Sequence, residues 1–291
     1  MHFVIVLVPV RLHACWRQYP ASTCRSTASE NFTLKHHLWA IARLTLLEAR
    51  RNRLLWLAGL VVLAGFALAQ FLAQVALTET QPIRITVLAA LFRLAAAFML
   101  ANFVVASAQR DFADKGVELT LALPVARASF CLGKLLGFAL CAAALAALFA
   151  AALWLGPGAE PARAALWGAA LAAELAIVAA MGLFCALTLA SSTGAFAAVV
   201  GFYLMARSVG AMQVIATSPL TDENSAMHAV INPLVDALSL LLPRLDLFAR
   251  SEWLTGAAPS GGELAIVFAQ AALYLVLLAA ATLFDFYRRE L

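Results

Sequence analysis

"AALWGAALAAELAIVAAMGLFCALTLASSTGAFAAVVGFYLMARSVGAMQVIAT" (Ala164–Thr217) contains two apolar runs joined by a turn of small polar residues. Each run carries one charge, Glu174 in the first and Arg207 in the second. A run of about 20 apolar residues in a helix crosses a bilayer core. "SSTG" (Ser191–Gly194) has the composition of a tight turn. The stretch therefore reads as two membrane spans folded back on each other.

The same pattern extends along the chain. The protein has 291 residues, is 64% hydrophobic and has a mean hydropathy of +0.90. A soluble domain is roughly 45–50% apolar. Gaps between charges give six spans, at about 54–78, 87–108, 135–155, 164–190, 195–217 and 264–284. The fold class is all-α, a polytopic membrane protein with six transmembrane helices. With both termini on one side, that side receives eleven Lys and Arg and the other side five. The positive-inside rule then puts both termini in the cytoplasm.

Residues 1–32 depart from this plan. Phe3–Val10 is a short apolar run without a basic start or an identifiable cleavage site, and the residues after it are polar and mixed. They read as a disordered extension, or as a start placed upstream of the functional one. The membrane domain is expected from residue 33 to residue 291. In "TLKHHLWAIARLTLLEARRNR" (Thr33–Arg53), His36, Arg43 and Arg50 recur every seven residues and share a helical face. Arg51 and Arg53 extend the basic end, while Leu34, Leu38 and Ile41 form an apolar stripe. This predicts an amphipathic helix at the membrane interface, basic face toward lipid headgroups.

Counting from the turn, Glu174 lies 17 residues before Ser191 and Arg207 lies 16 after it. At 1.5 Å per residue both sit about 24 Å from the turn. Charges inside a membrane generally pair, so a Glu174–Arg207 salt bridge is expected, with Arg93 as the other partner open to Glu174. Such a pair either pins two helices or forms part of a polar path. The pin is favoured, because two charges do not make a pathway.

Between spans five and six, "VINPLVDALSLLLPRLDLF" (Val230–Phe248) is apolar but broken by Pro233, Asp236, Pro243 and Arg244. It predicts re-entrant or interfacial helices at the outer surface, with Trp253 at headgroup level. The five cysteines form no secreted disulfide pattern. Met205, Met212, Met227 and His228 are too scattered to argue a metal site.

The sequence holds no HExxH, GxSxG or GxxxxGK[ST]. "GKLLG" (Gly133–Gly137) is instead a G-x-x-x-G, in which small residues let helices approach. No catalytic, metal or cofactor site is expected in this chain.

The loop between spans two and three reads "DKGVELTLALPVARASFCLGK" (Asp114–Lys134). It resembles the E-x-G-T-L-x-x-L-L-x-x-P-x-S-R pattern, followed by G-K, of ABC transporter permease subunits of the type-2 exporter kind. Some of these permeases are labelled for multi-copper enzyme maturation. "EARRNR" (Glu48–Arg53) is similar to that family's E-x-x-R-x-R before its first span, and "FYRREL" and "LLPRLDLF" resemble further family segments. Val117 and Ala126 stand where the family usually has Thr and Ser.

The resemblance implies a cytoplasmic coupling helix that docks on a separate ATP-binding cassette subunit, which would carry the ATP and magnesium. It assigns the docking to Asp114, Gly116, Val117, Glu118, Leu119, Leu121, Leu123, Pro124, Arg127 and Lys134. The period-two alternation of Val117, Leu119, Leu121 and Leu123 locally reads as strand and conflicts with this. A second permease copy and membrane lipids are the other implied partners, with no nucleic acid, in a bacterial inner membrane. The competing readings are an ion-coupled secondary transporter, which usually has more buried ionisable groups, and a membrane scaffold or assembly protein.

Overall fold

The structure, a computed structural model, describes residues 27–75, 80–113, 127–216, 242–256 and 258–288. Among the described residues every regular element is helical. Six helices are long and apolar enough to cross a membrane. The elements are α1 (Thr27–Arg51), α2 (Leu54–Val75), α3 (Thr80–Ala113), α4 (Arg127–Leu155), α5 (Pro161–Thr188) and α6 (Ser192–Ala216). A 3₁₀ turn (Leu245–Leu247), a one-turn helix α7 (Glu252–Thr255) and α8 (Gly261–Arg288) follow. The six-span expectation holds, with α2–α6 and α8 as the spans. Several helices overrun the charge-free gaps. α3 begins seven residues before and ends five after the expected span, because polar residues at a span's ends still favour helix.

α5 is the central helix. Its inner residues include Trp167, Leu171, Leu175 and Ile177, all fully buried. Within the chain, 78% of its span is covered, against 11% for α8. The two turns that flank α5 are short, so α4, α5 and α6 run alternately up and down. The core is built from small residues with rings between them. Phe92 stacks on Phe149 at 5.1 Å, and Phe103 meets Phe138 edge-on at 5.9 Å. In lipid the apolar effect does not hold helices together, so close van der Waals packing must do so.

α1 is longer than the sequence suggested and packs against the bundle. It begins at Thr27, six residues before the expected start of the organised region; "TASE" (Thr27–Glu30) is a capping-box sequence that can start a helix. Its inner face is also covered by protein rather than lipid. Ile41 lies over Gly133, and Thr45 lies over Gly137, one turn further along both helices. The physical reason is the groove that these two glycines leave in α4. Ala42, Thr45 and Ala49 are buried there. Arg43, Arg50, Arg51 and Arg53 remain exposed, as the basic face requires. His36 is on the same helix. Arg53, at φ 59°, takes the left-handed conformation that breaks α1 from α2.

Candidate functional site

Two polar clusters lie at opposite ends of the bundle. The first is at the end where α3 stops and α4 starts, around the base of the 114–126 loop. Lys134 of α4 is only 6% exposed. Its ammonium is 2.6 Å from Asp111 Oδ2 of α3 and 3.3 Å from Glu48 Oε2 of α1. Ser107 donates to the same Glu48 oxygen at 2.7 Å, and Arg110 approaches Glu48 Oε1 at 3.6 Å. Phe138 lies one turn above, its ring 5.5 Å from the ammonium. Three helices are thus tied by one carboxylate–ammonium network. A buried ammonium is tolerable only because two carboxylates and a ring face compensate its lost hydration.

This placement bears on the docking set. Lys134 is turned inward and spends its charge within the chain, so it is not part of an exposed docking surface. Its partner Glu48 is 86 residues away, and no local pattern signals that pairing. Arg127 opens α4. Asp114, Gly116, Val117, Glu118, Leu119, Leu121, Leu123 and Pro124 lie outside the described residues.

The second cluster is at the other end. Residues 242–256 form an irregular cap over the start of α3 and α5 and the end of α6. Leu245, Phe248 and Ala249 are fully buried, and Trp253 is 5% exposed. Trp253 packs inside the chain, because the segment folds onto the bundle. The described part of the expected re-entrant region is a 3₁₀ turn and one helical turn; residues 217–241 lie outside the described residues. Asp246 approaches the open flank of α6 at Gly210, where a Cβ would collide with its carboxylate.

Irregular buried backbone must find hydrogen-bond partners. Here side chains of the spans supply them. Arg93 of α3 and Trp167 of α5 each donate to the Ala249 carbonyl at 2.9 Å. Arg207 of α6 donates to the Phe248 carbonyl at 3.2 Å and also to that of Leu245. Arg163 donates to the carbonyl of Gly256. Beneath them lies Glu174, with none of its surface exposed.

Glu174 Oε1 is 3.9 Å from Arg207 Nη1, so the expected ion pair is present. It is a loose one. Neither oxygen of Glu174 accepts a hydrogen bond among the described residues. The Tyr203 phenol faces the same carboxylate. Arg93 also contributes its charge here. The two candidate partners of Glu174 thus act together, with their guanidinium N–H groups turned to the cap. The cap's role was not legible in the sequence, since backbone carbonyls carry no residue signature.

Cys131, Cys141 and Cys185 are free and buried. Among the described residues no three His, Cys, Asp or Glu side chains gather to hold a metal ion. No protein-family model matches the chain, and no curated protein matches it.

Proposed function

We propose that this chain is the membrane-spanning subunit of an ATP-driven transporter of the exporter kind. It would sit in a bacterial inner membrane with both termini in the cytoplasm. A separate ATP-binding cassette subunit would hydrolyse ATP, and a second permease copy would complete the route.

One observation supports the reading most. The two motifs that carry the family resemblance, Glu48 of "EARRNR" and Lys134 of the Gly–Lys pair, meet in one ion network. Asp111 completes it, three residues before the 114–126 loop. A loop that must transmit force needs rigid roots. Here both roots are clamped to each other and to α1 by charge-assisted contacts. ATP-driven movement of the docked loop would then pull on α1, α3 and α4 together. A permease of this kind shifts between two packed states through differential contacts with its partner. Exposed apolar side chains such as Trp56, Leu60 and Leu63 of α2 and Val276 and Leu277 of α8 would meet lipid or the second copy.

The test is co-purification with an ATP-binding cassette ATPase, sought first among the products of the neighbouring genes. The complex should form, and Glu118→Arg with Arg127→Glu should abolish both binding and stimulation of ATP hydrolysis. Full binding and stimulation by the double variant would exclude the loop as the docking element. An ATPase that never associates with the intact chain would overturn the whole reading.

A further inference from the structure

The break between α1 and α2 leaves positive charge and apolar surface side by side, both without a partner. Asn52 N–H donates to the Glu48 carbonyl at 2.8 Å and Leu57 N–H to the Arg53 carbonyl at 3.0 Å, so both sides of the break are bonded. Arg53, at φ 59°, turns the chain between them. Arg50, Arg51 and Arg53 are exposed, and none joins an ion pair or hydrogen bond among the described residues. Arg110, at the same end of the bundle, differs, since it approaches Glu48. α1 carries its arginines on a fixed support, because its other face is seated over Gly133 and Gly137.

Two grooves open from this corner. The outer one, about 840 Å³, runs from Asn52 and Arg53 past Trp56, Gly59 and Leu60 to Leu63. Trp56 is 80% exposed, more than any other large apolar side chain among the described residues. Gly59 leaves a notch, with nothing within 4 Å of where its Cβ would stand. The inner groove, about 380 Å³, lies between α2, α3 and α6 and is lined by Asn52, Leu57, Phe98, Met99, Asn102 and Phe196. Asn52 belongs to both grooves. Asn102 is exposed and its amide makes no hydrogen bond among the described residues, although a polar side chain within a span normally finds a partner. α2 has 22 residues, about 33 Å at 1.5 Å each, enough to cross a hydrocarbon core of about 30 Å. Arg53 then sits at headgroup level and Trp56 about one turn further in, where interfacial tryptophans settle.

One polar corner that opens on two apolar grooves is the complement of a glycerophospholipid, which has one head and two chains. The unpaired arginines select a head of negative charge. We propose that the α1–α2 break binds one acidic glycerophospholipid, held as a resident of the fold and not as cargo. Its phosphate lies among Arg50, Arg51 and Arg53, whose guanidinium forks match phosphate oxygens. The amides of Asn52 and Asn102 serve its glycerol and ester oxygens, and one acyl chain follows each groove. The lipid covers apolar surface that the chain leaves open, and it links α1 to α2, α3 and α6. This is more than the general attraction of a basic helix for a charged membrane, which requires neither groove. The inference holds whether or not ATP drives transport.

Native mass spectrometry of the full chain in detergent tests it, with defined lipids added after delipidation. The probes are dioleoyl phosphatidylglycerol, dioleoyl phosphatidylcholine, single-chain lysophosphatidylglycerol and soluble glycerol phosphate. One phosphatidylglycerol should stay bound per chain, in preference to phosphatidylcholine and to the single-chain form. Arg53→Gln should weaken its binding by about fivefold, the contribution of one basic residue beside an acidic headgroup. Arg43→Gln should change it by less than about twofold, because nine residues of helix place Arg43 about 14 Å from Asn52. Gly59→Leu fills the notch without meeting the chain and should weaken binding by about fourfold, the worth of about one buried methylene. Arg53 and Gly59 are both exposed, so the fold tolerates both changes. Equal retention of phosphatidylcholine would reduce the site to ordinary lipid contact and overturn the proposal. Equal binding of the single-chain lipid would remove the two-groove seat. Equal losses in Arg43→Gln and Arg53→Gln would mean diffuse attraction to a basic surface, with no site at the break. Displacement of the lipid by glycerol phosphate alone would make this a site for soluble anions and overturn the lipid assignment.

Discussion

Lys134 shows how a side chain singled out by a motif can be turned into the chain by partners that the motif does not contain. Its ammonium compensates both Asp111 and Glu48, and its own burial makes it unable to hydrate instead. Lys134→Met should therefore leave two carboxylates facing each other at a helix junction. Because Glu48 and Asp111 keep partial access to water, the expected loss is about 1–3 kcal/mol rather than the full cost of breaking a buried pair. Thermal unfolding in detergent would read it as a lower transition temperature. Adding Glu48→Gln and Asp111→Asn should restore much of the loss, since the orphaned charges are then gone. No recovery in the triple variant would mean that Lys134 acts through packing on Phe138 instead. Glu174 and Arg207, by contrast, were legible by counting from a turn, because span geometry fixes depth. The hydrogen bonds of Arg207 to the cap were not, since those depend on where a distant backbone segment folds.

At the scale of elements, α1 is the informative case. Its heptad-spaced basic residues suggested an interfacial helix, and Arg43, Arg50, Arg51 and Arg53 are exposed in the chain. What hydropathy could not show is that α4 offers a groove to the opposite face. Gly133 and Gly137 make it, and the G-x-x-x-G pattern alone did not name the visitor. A Cβ on Gly137 would lie 2.6 Å from Thr45 Cβ. Thr45 is buried and its hydroxyl bonds back to the Ile41 carbonyl at 3.1 Å, so a β-branched side chain has little room to yield. Gly137→Ala should destabilise the fold by about 1–3 kcal/mol through overpacking. Gly201→Ala provides the contrast, because nothing lies within 4 Å of its Cβ position. There the change should be neutral or stabilise by about 0.5–1 kcal/mol, as Ala replaces Gly in a helix. Equal melting shifts in the two variants would show that α1 is not seated in this groove. The six span helices were legible because length and charge-free runs are properties of sequence alone. The cap segment read as re-entrant or interfacial because its apolar residues look alike whether they face lipid or protein.

For the whole molecule, the network at the base of the loop and the cap at 242–256 lie at opposite ends of the bundle. α5 separates them, with 28 residues at 1.5 Å each giving about 42 Å. That exceeds a hydrocarbon core of about 30 Å, so α5 is long enough for its two ends to emerge on opposite sides of a membrane. Glu160 precedes α5 and Thr193 follows the turn after it, and both are exposed. By the positive-inside rule, the excess of Lys and Arg at the loop end predicts that this end is cytoplasmic. With all five native cysteines replaced, Glu160→Cys should react with a membrane-impermeant maleimide in intact cells. Thr193→Cys should react only in inverted vesicles. The reverse order would place the cap in the cytoplasm and the loop network outside, where no cytoplasmic ATPase could reach the 114–126 loop. Labelling of both positions from one side would break the alternation of α4, α5 and α6 on which the loop-to-cap geometry depends.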